Sequence, residues 1–252
     1  MLHELIKNAG NVVAFTGAGL STESDIPDFR SSSGLYLKGE FEGKRPEDIL
    51  SRRFFKSNPA VFTKFYQQRI LSMRDKKPNR AHYALKALQD MGKLKSVVNQ
   101  NIDNLLQTAG VQKVLDLHGN ITSFSCVSCG RAYTQDEYAA FTDIPRCGCH
   151  GIVKPNTVLF DEWLNDAVFN TAYHEMASAD LVIVIGSSLV VRPACSLIDE
   201  INKDCKLVIL NKGDTPYDGR ANFIFHAPCG QVLEDAVAHL QGLNPTSSAA
   251  KS

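Results

Sequence analysis

The sequence predicts a doubly wound α/β protein, in which helices cover both faces of a parallel sheet and a smaller lobe is inserted. Six short runs rich in Val and Ile are almost continuously apolar, as strands buried on both faces are: residues 12–15, 96–99, 113–117, 180–186, 206–210 and 222–225. Helix-like segments separate most of these runs, which is the alternation that parallel strands require. Residues 30–75 and 121–155 interrupt this alternation, and we expect them to form the inserted lobe.

The predicted helices span residues 79–91, 166–177, 193–202 and 232–240. The first is apolar at positions 81, 84, 85 and 88, which is the spacing of one helix face. In the inserted lobe, residues 30–75 are aromatic-rich and helical in pattern, whereas residues 121–155 are glycine-punctuated and carry cysteines. We expect one domain over residues 1–243, with a core of about 1–29, 76–120 and 156–243, followed by a disordered tail at 244–252.

The composition excludes several classes of protein. Lys+Arg and Asp+Glu are equal at 27 each, so no net charge favours nucleic acid, and direct nucleic-acid binding is not expected. No apolar run approaches the roughly 20 residues that span a bilayer, and the start, MLHELIKNAGNVVAF, lacks the pattern of a signal peptide. We therefore expect a cytoplasmic protein, or a nuclear one if the source is eukaryotic, without membrane contact. Its seven cysteines are expected to be thiols or metal ligands rather than disulfides.

Four of the cysteines are paired as in a zinc ribbon. Cys126 and Cys129 are followed, after seventeen residues, by Cys147 and Cys149. Thiolates at this spacing suit a tetrahedral Zn²⁺, and four sulfur ligands leave no open position, which predicts a structural ion. Four buried thiols are the alternative, and His150 is an alternative fourth ligand to Cys149. Because zinc ribbons also bind nucleic acid or protein, such binding is a rival function for this segment.

Polar or small residues follow the predicted strands at the edge where α/β proteins bind ligands. These sets are Gly17-Ala18-Gly19, residues 99–103, His118-Gly119-Asn120, Gly186-Ser187-Ser188 and Asn211-Lys212-Gly213. Each set alone is a weak signal, because an isolated polar residue at a strand end is more often a structural one. Together they predict a nucleotide site, opened by a glycine turn directly after the first strand.

Eight segments resemble the sirtuins, the NAD-dependent protein deacylases. In family order, from about residue 11 to 232, they are TGAGLS, IPDFRSSSGLY, NQNIDNL, LHGN, the paired cysteines, VKPNTVLFDE, GSSLVVRPA and LNKGDTP. The resemblance implies a Rossmann-like sheet whose small lobe joins a helical module to a zinc ribbon, in a minimal catalytic core of bacterial type. It also implies a protein lysine deacetylase that consumes NAD and releases nicotinamide and O-acyl-ADP-ribose.

By resemblance, NAD is a co-substrate held by the glycine turn, the polar loop after it and three later strand ends. The implied NAD-binding residues are Gly17, Ala18, Gly19, Ser21, Thr22, Ile26, Asp28, Phe29, Arg30, Gln100, Asn101, Ile102, Asp103, Gly186, Ser187, Ser188, Asn211, Lys212, Gly213 and Cys229. Ala18 and Gly19 are expected at the pyrophosphate, where small residues allow a close approach. Asp103 is expected at the nicotinamide carboxamide, and Cys229 near the adenine.

The implied catalytic residues are His118, Asn101 and Asp103. His118 matches the general base, since a neutral imidazole near pH 7 accepts a proton from a ribose hydroxyl, whereas Lys or Arg needs a large pKa shift to do so. In the family's reaction, the acyl-lysine oxygen attacks C1′ of the nicotinamide ribose and the acyl group finally passes to ADP-ribose. No hydride moves, in contrast to a dehydrogenase.

The implied substrate segment consists of Val158, Leu159, Phe160, Asp161 and Glu162, along which an acetylated peptide pairs as an added strand. The Val158 carbonyl is expected to accept from the lysine Nε–H, and Phe160 to line the acyl-lysine tunnel. An ordinary buried strand is the alternative for this apolar run.

Asp25 and Asp161 depart from the family pattern, in which both positions are usually glycine. We expect Asp25 to restrict the cofactor loop and Asp161 to favour basic residues beside the target lysine.

Desuccinylating sirtuins carry a Tyr-x-x-Arg pair, and no arginine lies three residues beyond Tyr36, so a neutral acyl group, acetyl first, is expected. Long-chain deacylation and mono-ADP-ribosyl transfer are alternatives that use the same NAD cleavage. A dehydrogenase or a non-catalytic NAD binder fits the motifs less well.

Overall fold

The computed structural model describes residues 1–28, 34 and 39–243 of the chain. Numbered along the chain, its strands are β1 (Val12–Thr16), β2 (Leu94–Asn99), β3 (Val114–Asp116), β4 (Ser123–Cys126), β5 (Ala132–Thr134), β6 (Val153–Pro155), β7 (Leu181–Ile185), β8 (Lys206–Leu210) and β9 (Phe223–Phe225). The α-helices are α1 (Leu2–Asn8), α2 (Pro46–Ile49), α3 (Arg52–Ser57), α4 (Pro59–Phe65), α5 (Arg80–Asp90), α6 (Leu105–Thr108), α7 (Gln135–Ala139), α8 (Asp166–Ala177) and α9 (Cys229–Leu240). No helix in these ranges combines the length and the apolarity needed to cross a membrane. The tail predicted to be disordered, residues 244–252, lies outside the described residues.

The main sheet has six parallel strands in the order β3-β2-β1-β7-β8-β9. All six runs that the sequence predicts as strands belong to it, so the predicted parallel α/β sheet is confirmed. The chain builds outward from β1 on one side and from β7 on the other. The carboxyl ends of these two neighbouring strands therefore form a topological switch point, which is where such sheets bind ligands.

Helices cover both faces of this sheet. Val12 and Ala14 of β1 belong to a core that includes side chains of α1, α5 and α9. Val13 and Phe15 point the other way, into a core that includes side chains of α8 and residues 194–200. Successive strand residues face opposite sides of a sheet, and all four of these side chains are fully buried. Burial on both faces explains why the predicted strands read as continuous apolar runs.

Three of the predicted helices are confirmed as α5, α8 and α9, although α9 begins earlier than predicted. The helix predicted at residues 193–202 is wrong, because Ala194–Glu200 forms a 3-10 helix. The N–H and the hydroxyl of Ser196 both donate to the Pro193 carbonyl, at 3.0 and 2.7 Å. Two donors from the residue three positions later favour the tighter turn over an α-helical one. The helix α1 is one that the sequence pattern does not predict.

The small lobe combines helices with a three-stranded antiparallel sheet in the order β5-β4-β6. Its helical part contains α2, α3, α4, the π-helical turn Tyr66–Ile70 and the 3-10 helix Leu71–Asp75. Tyr66 meets Phe124 of β4 edge to face at 6.3 Å, and Phe124 stacks on Tyr138 of α7 at 4.2 Å. The helical and cysteine-bearing parts thus share one apolar core. The predicted residue boundaries of core and lobe stay a prediction.

Candidate functional site

A cavity of about 790 Å³ opens at the carboxyl ends of the main strands and extends to the small lobe. Its size is within the range of small-molecule sites. Most residues predicted to bind NAD or peptide line it: Ala18, Gly19, Thr22, Asp28, Gln100, Asn101, Ile102, His118, Val158, Leu159, Phe160, Asp161, Glu162, Gly186, Ser187, Ser188, Asn211, Lys212, Gly213 and Cys229. The fold therefore brings together segments that are far apart in the sequence.

Not every predicted site residue faces this cavity. Gly17, Ser21, Ile26 and Asp103 do not line it. Ile26 is buried in the core of the small lobe. Phe29 and Arg30 lie outside the described residues, so their predicted contacts with NAD stay predictions.

Ser21, Asn101 and Asp103 form a buried hydrogen-bond network behind the cavity wall. Ser21 Oγ donates to Asp103 Oδ2 (2.6 Å), and Asn101 Nδ2 donates to Ser21 Oγ (3.2 Å) and to the Gly17 carbonyl (3.0 Å). Asp103 Oδ1 accepts from the Leu105 N–H (2.9 Å). Burial raises the pKa of Asp103, and the bonds from Ser21 and Leu105 oppose that rise. The network holds the Asn101 side chain, which lines the cavity, in one orientation.

The glycine turn after β1 packs directly against the turn after β7. A Cβ on Gly19 would lie 2.7 Å from Gly186 Cα, and a Cβ on Gly17 would lie 2.8 Å from the Gly186 carbonyl oxygen. Gly186 has φ +62°, and a Cβ there would lie 2.3 Å from Leu20 N. Cβ atoms cannot approach so closely, so glycine is needed here for two backbones to meet. Contact between the two turns is a second reason for these glycines, besides the approach of a ligand.

His118 follows β3 in a turn whose next residue must be glycine. Gly119 has φ +68°, and a Cβ there would lie 2.0 Å from the Asn156 carbonyl oxygen. His118 Nδ1 lies 2.8 Å from the Gln100 carbonyl oxygen. Because a carbonyl oxygen only accepts, Nδ1 carries the proton and Nε2 keeps its lone pair. Burial lowers the pKa of His118, so the ring is neutral at pH 7 and Nε2 can accept a proton.

Val158 joins the predicted substrate segment to the turn that carries His118. Its N–H donates to the His118 carbonyl at 2.8 Å. Its own carbonyl oxygen has no hydrogen-bond partner within the part of the chain that the structure describes. This carbonyl is therefore an available acceptor, on a residue whose N–H is bound to the backbone of His118.

The backbone of Phe160 is bound to the small lobe. Its N–H donates to the Leu50 carbonyl (2.9 Å), and its carbonyl accepts from the Arg52 N–H (2.8 Å). These bonds make a single bridge between Phe160 and Ser51 rather than a regular strand. The alternative prediction of an ordinary buried strand for this segment is therefore wrong. The apolar run reflects a loop fastened to the lobe.

Sequence reasoning missed part of the cavity lining: Glu23, Leu50, Tyr66, Thr157, Leu164, Val191, Arg192, Pro193, Leu210, Asp214, Ala227 and Pro228. Half of them lie inside the quoted motifs but received no predicted role: Thr157, Val191, Arg192, Pro193, Leu210 and Asp214. Of the others, all but Glu23 are apolar or aromatic residues that carry no signal of their own. Glu23 is different, because it accepts from Arg80 Nε (2.8 Å) and from the Gly230 N–H (3.0 Å). Through these bonds it fastens the loop after β1 to the first turns of α5 and α9. The sequence does offer one signal for Glu23, which is a carboxylate directly after the predicted loop residues Ser21 and Thr22.

The four cysteines of the predicted zinc ribbon converge. Their Sγ atoms all lie within 4.8 Å of one another, with Cys126 and Cys149 at 3.4 Å and Cys129 and Cys147 at 3.6 Å. Sulfurs bound at about 2.3 Å around a tetrahedral Zn²⁺ lie about 3.8 Å apart, so these residues fit that ion. His150 is not part of the group, which favours four sulfur ligands. Cys129 and Cys149 are exposed, so the alternative of four buried thiols is wrong.

Comparisons with known proteins agree with this architecture. A model of the Sir2 family matches residues 17–193. An NAD-dependent protein deacetylase of Clostridium acetobutylicum is 42% identical over 239 residues, which cover 94% of this chain and 96% of that protein. A solved complex of Sir2 with a p53 peptide and NAD+ has a TM-score of 0.86 at 36% identity, covering 96% of this chain and 97% of its own. A Sir2 variant with a deacetylated p53 peptide and 3′-O-acetyl ADP ribose has a TM-score of 0.88 at 35% identity, covering 96% and 98%. The chain belongs to the Sir2 family.

Proposed function

We propose that the protein is an NAD-dependent protein lysine deacetylase, which transfers the acetyl group of an acetyl-lysine to ADP-ribose and releases nicotinamide. The observation that carries this proposal is the neutral imidazole of His118, which lines the cavity with its Nε2 lone pair unprotonated. Acyl transfer to a ribose hydroxyl needs a base of this kind at the reacting hydroxyl. Val158, whose carbonyl is an available acceptor, lines the same cavity.

The cavity residues also fit NAD. When bound, NAD supplies an electrophilic ribose carbon and the hydroxyl that finally receives the acyl group. Gln100 Nε2 is buried and has no partner among the residues that the structure describes, so it is a ready donor for a ligand oxygen. We infer that Ser187, Ser188 and the loop from Asn211 hold the phosphates and the adenosine ribose. They line the same cavity as Ala18 and Gly19 of the glycine turn.

Asp103 has a positioning role in this arrangement. Both of its carboxylate oxygens accept hydrogen bonds, from Ser21 and from the Leu105 N–H. We infer that Asp103 orients Ser21, and through it Asn101, beside the predicted nicotinamide pocket. Direct contact of Asp103 with the carboxamide stays a prediction.

We infer that the acetylated peptide binds along residues 158–162. The lysine Nε–H has an acceptor in the Val158 carbonyl. The N–H and carbonyl of Phe160 are already hydrogen-bonded to the small lobe. An added peptide strand therefore pairs with the backbone of the neighbouring residues instead. Leu50, Tyr66 and Thr157 contribute uncharged side chains to the cavity, and Tyr66 Oη lies 3.3 Å from Thr157 Oγ1. Such a lining suits a neutral acyl group, acetyl first.

We also infer a cytoplasmic location and no direct nucleic-acid partner. None of the seven cysteines is joined in a disulfide, which is the state that a reducing compartment maintains. The formal net charge is zero, so no overall field attracts a polyanion.

The test is to incubate the protein with NAD and an acetyl-lysine peptide and to follow every product by mass. We expect deacetylated peptide only when NAD is present, with one nicotinamide released per acetyl group transferred. His118→Ala should lower kcat by about 10² to 10⁴, the usual contribution of a general base. His174→Ala, which changes an exposed histidine on α8, is the matched control and should retain full activity.

Two other products would redirect the proposal. Reduced NAD would indicate a dehydrogenase, and a gain of ADP-ribose mass on a protein would indicate a mono-ADP-ribosyltransferase. Full activity in His118→Ala would contradict the assignment of the base. We expect the circular dichroism and the zinc content of His118→Ala to match those of the wild type, which excludes unfolding as the cause of any loss of activity.

A further inference from the structure

Trp163 is the single tryptophan of the chain, and 93% of its surface is exposed. It is more exposed than any other large apolar residue in the described ranges. Tryptophan is highly buried on average, because its ring offers a large apolar area. Exposed apolar surface beside a cavity marks a place where a partner covers it.

Trp163 stands at the rim of the candidate site. The residues on either side of it, Glu162 and Leu164, both line the cavity. Phe160, another lining residue of the same segment, is itself 43% exposed. On the segment after β7, Val190 is half exposed and precedes the lining residue Val191. Apolar surface therefore continues from the cavity wall onto the outside of the protein.

The turn directly before Trp163, residues 159–162, is held by hydrogen bonds before any ligand binds. The Leu159 N–H donates to Glu162 Oε2 (3.0 Å), and the Glu162 N–H donates back to the Leu159 carbonyl (3.0 Å). Lys154 Nζ lies 3.0 Å from the same carboxylate oxygen and also donates to the Thr157 carbonyl (2.9 Å). A turn held in this way loses little conformational entropy when a ligand covers it.

We propose that Trp163 determines substrate specificity by binding an apolar side chain that flanks the acetyl-lysine of the peptide. This inference rests on the proposed function. In the proposed binding mode the lysine reaches the Val158 carbonyl and the peptide runs along residues 158–162, so residues that flank the lysine lie beside Trp163. Tryptophan is among the residue types that contribute most to binding once a partner covers them. The substrate peptide itself therefore covers this surface. The enzyme prefers peptides in which a leucine-like or aromatic residue lies beside the acetyl-lysine.

The test compares two acetyl-lysine peptides that differ only in the residues flanking the lysine on both sides, leucine in one and serine in the other. Trp163→Ala should lower kcat/KM for the leucine peptide about tenfold, through KM, as loss of one interface aromatic ring does. The serine peptide should change less than twofold, and Trp163→Phe should restore most of the leucine value. Tyr83→Ala is the matched control, because Tyr83 is an aromatic residue 55% exposed on α5, outside the cavity lining.

A second measurement uses the fluorescence of the only tryptophan. Titration of the wild-type protein with the leucine peptide, in the absence of NAD, should shift the emission of Trp163 to shorter wavelength as its ring leaves water. Equal losses for both peptides, or no emission shift at saturating peptide, would overturn the inference. If the wild type deacetylates neither peptide, the proposed function fails, and the titration still decides whether Trp163 contacts the peptide.

Discussion

At the residue scale, the proposed chemistry depends on one tautomer of His118. The Gln100 carbonyl selects it by accepting from Nδ1. Gln100 is itself held by its N–H, which donates to the Thr16 carbonyl (3.0 Å), and by Ser187 Oγ, which lies 3.3 Å from its Oε1. The base is thus oriented by the backbone of the residue that follows β2, which is in turn bound to the end of β1. No charged residue is needed for this orientation.

The pKa of His118 gives a prediction for the pH dependence of activity. Burial lowers this pKa below its ordinary value of 6.5, and the neutral ring is the active form. We therefore expect kcat/KM to be constant from pH 8 to below 6.5 and to fall only at lower pH, since this ratio reports the pKa of the free enzyme. The measurement is kcat/KM from pH 5 to 8 with acetyl-lysine peptide. A half-maximal value at or above pH 6.5 would contradict it, and His174→Asn, which replaces an exposed histidine, should leave the profile unchanged.

Asp25 and Asp161, the two positions where the resemblance leads us to expect glycine, both have left-handed backbone conformations. Asp25 has φ +57° and Asp161 has φ +67°. Aspartate is one of the few residues with a side chain that visit this region with any frequency. Aspartate therefore fits the left-handed conformation that each of these two positions adopts. The ion pair of Asp25 with Lys76, at 3.8 Å, is exposed and contributes little.

A prediction at Asp25 separates backbone strain from side-chain contacts. Asp25→Gly should change the free energy of unfolding by less than about 1 kcal/mol, because relief of strain and the added entropy of glycine oppose each other. Asp25→Val should lower it by about 1–2 kcal/mol, since a β-branched residue is disfavoured at positive φ. Urea denaturation measures both. Equal losses in the two variants would show that the carboxylate, rather than φ, is what matters.

At the scale of elements, the small antiparallel sheet depends on its cysteines. Its strands, β4, β5 and β6, are three or four residues long, which is short for a sheet to be stable by itself. Cys126 ends β4, and both Cys126 and Cys147 are buried in the small-lobe core, whereas their partners Cys129 and Cys149 are exposed. A Zn²⁺ held by all four would link the core of the lobe to its surface loops.

Loss of one sulfur ligand should therefore unfold this element. We expect Cys129→Ser to abolish stoichiometric zinc binding and to speed amide exchange in β4–β6, while amides of β7 and β8 stay protected. Zinc analysis and hydrogen exchange followed by mass spectrometry measure the two effects. His150→Ala is the control that tests the alternative ligand, and it should keep its zinc. Zinc retained in Cys129→Ser, or lost in His150→Ala, would show that the ligand set is wrong.

At the scale of the whole molecule, the candidate site belongs to neither lobe alone. Leu50 and Tyr66 of the small lobe and Gly186 and Ser187 of the main sheet line one cavity. The segment at residues 157–162 connects the two, since Val158 is bound to the His118 turn and Phe160 to the lobe. Ligands that fill the cavity must contact both lobes at once.

Ligand binding should therefore stabilise the two lobes together. With His118→Ala, in which we expect slow turnover and intact binding, NAD and acetyl-lysine peptide at about one hundred times their Kd should each raise the free energy of unfolding by about 2.7 kcal/mol. Hydrogen exchange should slow at residues 50–52 and at residues 186–189 when both ligands are present. Slowing in the main sheet alone would contradict a site shared between the lobes. Addition of NAD without peptide is the control that separates the two contributions.

The parts of the fold that were predicted correctly are those whose signal is local. The six main strands were predicted because burial on both faces makes their residues continuously apolar. The helix at residues 193–202 was predicted wrongly, because apolar spacing does not distinguish an α-helix from the 3-10 helix that Ser196 favours. The apolar run at residues 158–160 suggested a strand as an alternative, whereas the structure shows a loop. In both cases hydrogen-bond geometry, which composition does not record, decided the outcome.

The sequence by itself determined the parallel sheet, the cysteine ligand set and the segments that meet at the strand ends. Each of these is encoded by residue type and spacing within a short stretch. Only the tertiary structure decided that the helical and cysteine-bearing parts share one core, that Glu23 fastens the loop after β1 to α5 and α9, and that Nε2 of His118 holds the lone pair. It also decided that Trp163 stands exposed at the rim of the cavity. These features depend on contacts between residues far apart in the chain, and such contacts are set by packing rather than by local pattern.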